Sequence, residues 1–155
     1  MIFYMKQAVF TFGDRFAIYD EAGNDCLYVE GELFSWGKKL HLYDRNGVEL
    51  AYVEEQLFSF RHCYNIYRGN MLDAEVIREF SFFSPRYSIP SYGWRVEGDF
   101  LAHDYVIVSE TQSIATVSKE WFTLGDAYRI EVGRADPVMV LAIVLVLDVC
   151  TQKNH

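Results

Sequence analysis

The sequence predicts an all-β protein with one central helix, in which a sheet closes into a barrel around that helix. Two observations carry this prediction: an unbroken apolar stretch from Val138 to Leu147, and strand-like hairpin patterns through the rest of the chain. A helix that is apolar on every side must be surrounded on every side. A closed sheet supplies that enclosure and leaves no exposed strand edge. We expect residues 1–155 to form a single domain, because no Gly-, Ser- or Pro-rich linker divides them.

The helix has recognisable start signals. Asp136 can cap its first turn, and Pro137 suits the first helical position. The apolar run from Pro137 to Leu147 has eleven residues before Asp148 ends it. A transmembrane helix needs about 20 apolar residues, so the run predicts a buried core helix and no transmembrane span.

The strand signals recur as hairpins. Residues 15–30 and 39–54 match at a constant shift of 24, with six identical positions. These are Tyr19/Tyr43, Asp20/Asp44, Gly23/Gly47, Tyr28/Tyr52, Val29/Val53 and Glu30/Glu54. The match indicates either a true repeat or the shared demands of two β-hairpins with glycine turns.

A second internal match has a shift of 64. It aligns Ala51/Ala115, Val53/Val117, Phe58/Phe122, Tyr64/Tyr128 and Ile66/Ile130. This spacing predicts two related β halves that share one core and are followed by the helix.

The last third of the chain resembles the LURP-one-related family, which shares the Tubby C-terminal-like fold. The resemblance rests on the G-D-F of Gly98–Phe100, the I-A-x-V-S-K of Ile114–Lys119, Trp121 with Phe122, the D-A-Y of Asp126–Tyr128, and the A-I-V-L-V-L-D tail ending at Asp148. The first half agrees through its Y-D-x-x-G hairpins. The resemblance implies a closed antiparallel barrel of about twelve strands around a hydrophobic C-terminal helix.

The resemblance implies less about activity. Tubby-like proteins are phosphoinositide-binding membrane tethers, and phospholipid scramblases are distant relatives. Most small LURP-one-related proteins have no assigned biochemistry. The basic phosphoinositide site of the tubby proteins has no residue-by-residue match in this chain.

Charge and cysteine usage restrict the function classes. The net charge is -8 and the pI is about 4.9, whereas nucleic-acid binding requires clustered Lys and Arg, so we expect no nucleic-acid partner. The odd set of Cys26, Cys63 and Cys150 contains no CxxC motif, which favours a reducing cytoplasm. The first ten residues lack the pattern of a secretory signal, so we predict a cytoplasmic location.

No pattern in the sequence predicts catalysis, a metal or a cofactor. The candidate metal ligands are His41, His62, His103, His155 and the three cysteines. His62 and Cys63 are adjacent, and adjacent residues on a strand point to opposite faces, so they cannot hold one ion together without a bulge.

No GxSxG motif and no phosphate-binding glycine loop is present. We therefore predict a non-enzyme with no pocket that brings two or more His, Cys, Asp or Glu side chains within hydrogen-bonding reach. His62 and Asp126, which are 64 residues apart, are the pair that would overturn this prediction.

Aromatic residues make up 17% of the chain. They predict core filling around the helix in preference to a pocket for an apolar ligand, since the helix occupies the space inside the barrel. Trp36 beside Lys38 and Lys39 is the candidate contact with anionic lipid. The alternative is a charged hairpin end that prevents the strand edge from pairing with another chain.

The sequence therefore predicts a non-enzymatic interaction or tethering module, whose partner is an unidentified protein or lipid. One hypothesis is peripheral contact with anionic lipid at a membrane surface. The alternative is a soluble binder of a protein partner or a small apolar ligand through the barrel loops.

Overall fold

The computed structural model describes residues 1–6, 15–32, 36–58, 61–79, 85–122 and 125–152. His155, the side chains of Trp121 and Phe122, and that of Asp126 lie outside this description. The described chain forms twelve strands: β1 (Ile2–Lys6), β2 (Arg15–Tyr19), β3 (Asp25–Gly31), β4 (Lys39–Asp44), β5 (Glu49–Glu55), β6 (His62–Arg68), β7 (Met71–Glu79), β8 (Arg86–Ile89), β9 (Trp94–Asp99), β10 (Asp104–Val108), β11 (Ser113–Phe122) and β12 (Gly125–Val132). A short 3-10 turn (Pro90–Tyr92) links β8 to β9, and helix α1 (Pro137–Gln152) follows β12.

The strands close into one antiparallel barrel. Each strand pairs with the next along the chain, and β1 completes the ring by pairing with both β2 and β12. Phe3 lies opposite Ile130 on one side of β1, and Tyr4 lies opposite Tyr19 on the other. The predicted closed barrel with one helix is confirmed.

Helix α1 fills the barrel. Every residue from Met139 to Leu147 is at most 1% exposed, as a helix that is apolar on all sides requires. At its start, Asp136 Oδ1 accepts a hydrogen bond from the backbone N–H of Val138 at 3.0 Å, and the Arg68 guanidinium pairs with the same carboxylate.

The helix continues beyond the apolar run. Asp148 ends that run, but α1 extends through it to Gln152 and carries Asp148 and Cys150 into the barrel interior. No helix of the described residues has the length and hydropathy that crossing a membrane requires.

The two hairpins related by the shift of 24 have the same turn. Asp20 Oδ1 accepts from the backbone N–H groups two and four residues later, each at 2.9 Å. Asp44 Oδ1 does the same at 2.8 and 2.9 Å. Gly23 and Gly47 have φ of 81° and 79°, a region that glycine enters at little cost. This turn explains the matches at Asp20/Asp44 and Gly23/Gly47.

Positions related by the shift of 64 lie on opposite walls of the barrel. β6 and β12 are six strands apart in a ring of twelve. Tyr64 on β6 and Tyr128 on β12 are each 1% exposed, and Ile66 and Ile130 are fully buried. The two related halves therefore contribute equivalent side chains to opposite sides of α1.

Enclosure of the helix predicts that every face of it is intolerant of charge. We expect Leu141→Asp, Val144→Asp and Leu145→Asp each to abolish soluble folding, because an unpaired buried carboxylate costs several kcal/mol against a total stability of about 5 to 15 kcal/mol. Soluble yield and far-UV circular dichroism measure this. Leu101→Asp, at a side chain that is 65% exposed, is the matched control and should fold. Normal folding of any of the three helix variants would contradict enclosure of that face.

Candidate functional site

The two ends of the barrel differ in which end of α1 they hold. One end holds the helix start, where Arg68 meets Asp136. At the other end the Cys150 thiol lies beside the hydroxyls of Tyr64 and Tyr87. We call this second end the C-terminal rim; it includes the connections from β3 to β4, from β5 to β6 and from β9 to β10. The candidate site lies here, where the apolar helix becomes polar.

The candidate lipid-contact residues lie together on the connection that leads into β4. Trp36 is 85% exposed. The backbone carbonyl of Lys38 accepts a hydrogen bond from the N–H of Glu55 at 2.8 Å, and Lys39, the first residue of β4, lies opposite Glu54. The structure thus presents Trp36, Lys38 and Lys39 at the C-terminal rim, beside the end of β5.

A second exposed apolar segment adjoins them. Phe58, after β5, is fully exposed, and Leu57 is 39% exposed. A Cβ added to Gly37 would lie 3.1 Å from Leu57 Cδ2, so the two connections touch. We call Trp36, Leu57 and Phe58 the aromatic tip. The sequence analysis missed Leu57 and Phe58; the up-and-down strand order, which places alternate connections at one end, was the signal that could have found them.

Phe58 has an unusual backbone conformation. Its φ is 62°, in the left-handed region that a bulky residue enters at a cost. The phenyl ring remains fully exposed in this conformation, so burial of the ring does not offset its cost. The backbone strain therefore accompanies an outward-pointing aromatic side chain.

The carboxylates nearest the tip are engaged elsewhere. Glu55 is only 12% exposed at its side chain and accepts a hydrogen bond from the Tyr64 hydroxyl at 2.7 Å. His62 Nε2 lies 3.6 Å from Glu55 Oε2. Glu32 Oε1 lies 3.2 Å from His41 Nε2. The Glu32 carboxylate thus contacts His41, and that of Glu55 contacts Tyr64.

A polar chain leads from the rim into the barrel. His103 Nε2 lies 3.1 Å from the Tyr128 hydroxyl, and that hydroxyl donates to Asp148 Oδ1 at 3.3 Å. Asp148 is 3% exposed, and its Oδ2 is buried without a hydrogen-bond partner in the described structure. The His103 ring stacks on Tyr128 with 4.2 Å between centroids.

Burial governs the protonation of this chain. It raises the pKa of Asp148 to about 7, with the Tyr128 hydrogen bond acting in the opposite direction. Burial, and then the positive charge of Lys119, lowers the pKa of His103, while Asp99 opposes this. Tyr128 has one hydroxyl proton, so it donates to Asp148 when that group is ionised and can donate to His103 when Asp148 is protonated. The charge state of a core carboxylate is thereby coupled to a histidine at the rim.

The described residues contain no group of three His, Cys, Asp or Glu side chains arranged to hold a metal ion. His62 contacts Glu55, while the side chain of Asp126 lies outside the described residues. The pairing of His62 with Asp126 therefore stays untested, and the absence of a catalytic pocket stays a prediction.

A cavity of about 420 Å³ opens between β8 and β9. Its lining includes the rings of Tyr87 and Phe100, with Arg86, Arg95, Glu79 and Glu97. The two glutamates bind different donors. The Ser88 hydroxyl donates to Glu79 at 3.1 Å, and Arg95 donates to Glu97 at 2.6 Å. The cavity is therefore lined by charged residues of both signs together with two aromatic residues.

The G-D-F sequence at this rim has a structural role at each position. Gly98 has φ of 133°, and a Cβ there would lie 2.6 Å from the backbone oxygen of Asp104. Asp99 Oδ1 accepts the N–H of Ala102 at 3.0 Å. Phe100 packs edge-on against Tyr87, with 5.1 Å between ring centroids. The motif thus shapes the β9–β10 connection that carries His103.

The raised pKa of Asp148 predicts a pH-dependent stability. The folded state holds its proton up to pH about 7, whereas the unfolded chain loses it near 3.8, so this group makes folding less favourable as pH rises between those values. We expect Asp148→Asn to gain about 2 to 3 kcal/mol relative to the natural chain between pH 5 and pH 8. Urea unfolding at several pH values measures this difference. The exposed Asp104→Asn is the control, and a difference for Asp148→Asn that did not change with pH would contradict the prediction.

Comparison with known proteins agrees with this architecture. The model of the LURP-one-related family matches residues 1–148. The protein YxjI of Bacillus subtilis, which is described as uncharacterised, is 32% identical over 153 residues, covering 98% of this chain and 94% of that protein. The X-ray structure of a protein from Arabidopsis thaliana superposes with a TM-score of 0.67 at 18% identity, over 95% of this chain and 89% of the other, and so shares the fold. The chain belongs to the LURP-one-related family.

Proposed function

We propose that the protein is a non-enzymatic tethering module that contacts anionic membranes through its C-terminal rim. The observation that carries this proposal is the aromatic tip, where Trp36 and Phe58 project from two touching connections. Exposed aromatic side chains favour the interfacial region of a bilayer, where an apolar ring and a polar backbone are both accommodated. In the proposed contact, the tip enters the headgroup region.

The left-handed backbone conformation of Phe58 supports a role of its exposed ring in membrane contact. A residue in the left-handed region costs of order 1 kcal/mol, and glycine or asparagine would occupy the position with less strain. Burial of a phenyl ring at a membrane interface would offset that cost, whereas water does not. The strain is thus explained by a contact that the free protein lacks.

Cationic residues flank the tip. Lys38 and Lys39 lie just after Trp36, and Arg61 is the last residue before β6. Each basic residue near an anionic bilayer contributes about 1 kcal/mol. Cytoplasmic leaflets are anionic, which is consistent with a cytoplasmic location, as are the three cysteines, all of which are free thiols.

The interior of the barrel argues against a buried lipid chain as the ligand. Helix α1 and inward side chains such as Ile66, Ile107 and Ile130, each fully buried, occupy the lumen. The cavity between β8 and β9 has a charged lining, which disfavours the small apolar ligand of the alternative hypothesis. Contact at the surface of the rim remains the better supported function.

Membrane contact predicts co-sedimentation with vesicles. We expect binding to vesicles containing phosphatidylserine at low salt, weaker binding at high salt, and little binding to pure phosphatidylcholine, because electrostatic attraction is screened by salt. Trp36→Ala should weaken binding about tenfold, which corresponds to 1.4 kcal/mol of lost apolar burial. Lys38→Gln and Lys39→Gln should each weaken it about fivefold.

Met71→Ala is the matched control, since Met71 is 75% exposed at the opposite end of the barrel. It should leave vesicle binding unchanged. A chain that did not bind anionic vesicles even at low salt, or that lost as much binding through Met71→Ala as through Trp36→Ala, would refute the proposal.

Phe58→Gly separates stability from function. Glycine relieves the left-handed backbone, so we expect the free energy of unfolding to rise by about 0.5 to 1 kcal/mol. Removal of the ring should weaken binding to anionic vesicles about tenfold. Thermal unfolding and vesicle co-sedimentation on the same preparation measure both quantities. Unchanged vesicle binding would show that Phe58 does not enter the membrane.

A further inference from the structure

A belt of rings crosses the outer face of the barrel from β3 to β6. It consists of Tyr28, Tyr43, His41, Tyr52 and Tyr67, and all five side chains are half-buried on the outside of the sheet. Tyr28 lies opposite Tyr43, and His41 lies opposite Tyr52. Tyr52 in turn lies opposite Tyr67. Four neighbouring strands thus contribute to one continuous surface, which we call the tyrosine belt.

The belt is ordered by ring contacts. His41 lies 4.8 Å from Tyr52 and 5.9 Å from Tyr43, measured between ring centroids, and both pairs are stacked. Tyr52 lies 5.7 Å from Tyr67. Stacking fixes these side chains before any partner arrives, so little conformational freedom remains to be lost on binding. Tyrosine is also enriched at protein interfaces, where it combines apolar area with a polar hydroxyl.

The belt has an acidic border. Glu49 Oε1 lies 2.5 Å from His41 Nδ1, and Glu32 Oε1 lies 3.2 Å from His41 Nε2. Glu30, on β3, is exposed and lies opposite His41, while Glu54 lies opposite Lys39. The border therefore combines four carboxylates with the cations of Lys39 and of Arg15, which lies opposite Glu30.

The tyrosine hydroxyls respond to these charges. Burial, followed by the charges of Glu49, Glu30 and Glu32, raises the pKa of Tyr43, and Arg15 opposes the shift. Burial, followed by the charges of Glu54 and Glu32, raises the pKa of Tyr52. The belt thus lies in a negative local field that favours an approaching cation.

The belt already binds one guanidinium group within the molecule. The Arg15 Cζ atom lies 4.3 Å from the centroid of the Tyr28 ring, within the range of a cation–π contact. Elsewhere in the belt, Tyr43 lies opposite Glu49 and His41 lies opposite Tyr52. The Arg15 contact is a local example of the chemistry that the rest of the belt offers.

We propose that the tyrosine belt is a docking surface for an arginine-bearing basic segment of a partner protein. Arginine combines a planar cation, which stacks on aromatic rings, with a donor fork that matches carboxylates. The belt presents rings and carboxylates within a few ångströms of each other, so one guanidinium can contact both. Lysine, a compact and strongly hydrated cation, matches only the charge. This surface lies on the wall of the barrel and borders the C-terminal rim at Lys39 and Glu32, but the proposal does not depend on membrane binding.

The test uses fluorescently labelled octa-arginine and octa-lysine as probes, with fluorescence anisotropy of the full chain at physiological salt. We expect octa-arginine to bind at least fivefold more tightly than octa-lysine. The double variant Tyr43→Leu/Tyr52→Leu, which keeps apolar packing but removes two π faces, should weaken octa-arginine binding about tenfold. Glu30→Gln with Glu49→Gln should weaken it about fivefold.

Matched controls separate the belt from the general acidity of the chain. Tyr92→Leu removes a tyrosine of the connection between β8 and β9, outside the belt, and Glu21→Gln with Glu110→Gln removes two exposed carboxylates outside the belt. These variants should bind octa-arginine as the natural chain does. Equal binding of the two probes, equal loss in the control variants, or no loss in the Tyr43/Tyr52 variant with its fold intact by circular dichroism would overturn the proposal.

Discussion

The enclosure of a helix that is apolar on every face is the constraint on which the rest of this structure depends. Each fully buried Val, Leu or Ile contributes about 1.5 to 3 kcal/mol relative to exposure, and α1 has nine consecutive residues at most 1% exposed. A single sheet face covers only one side of a helix, so the sheet must close. Closure in turn satisfies the edges of β1 and β12, which would otherwise present unpaired backbone groups.

Because the barrel is filled by its own helix, the surfaces that we propose for binding lie on the outside of the barrel. Barrels of other architectures hold a small ligand in the lumen, but here that volume is occupied by α1. At the polar end of the helix, hydrogen bonds connect side chains of the barrel interior with side chains of the rim. Tyr64 and Tyr128, from opposite walls, both direct hydroxyls toward acidic groups at this end, Glu55 in one case and Asp148 in the other. The Tyr128 hydroxyl thereby lies between Asp148 and His103 on the rim.

Sequence patterns predicted the parts of the fold that local physics determines. The helix start at Asp136 and the two Asp-to-Gly turns follow from a few neighbouring residues, and the shift of 64 predicted two related halves around one core, whereas their placement on opposite walls is known from the structure. The rim and the belt depend on contacts between strands. Trp36, Lys38 and Lys39 are close in sequence and were named as candidates, but Phe58 lies beside them only because Gly37 touches Leu57. Likewise, no local pattern shows that Tyr52 stacks on His41, since their pairing depends on the register of β4 and β5.

The geometry also reconciles an acidic chain with the proposed contact with an anionic membrane. If the rim docks end-on, the tyrosine belt lies on the wall of the barrel, facing away from the lipid headgroups. Tyr52 is three residues from Glu55 at the end of β5, which corresponds to about 10 Å along an extended strand. The Debye length at physiological ionic strength is about 8 Å, so repulsion between the bilayer and Glu49, at the far end of β5, is largely screened. Lys39 lies opposite Glu54, between the tyrosine belt and the aromatic tip. The negatively charged wall and the cationic residues that flank the tip can therefore contact different partners at the same time.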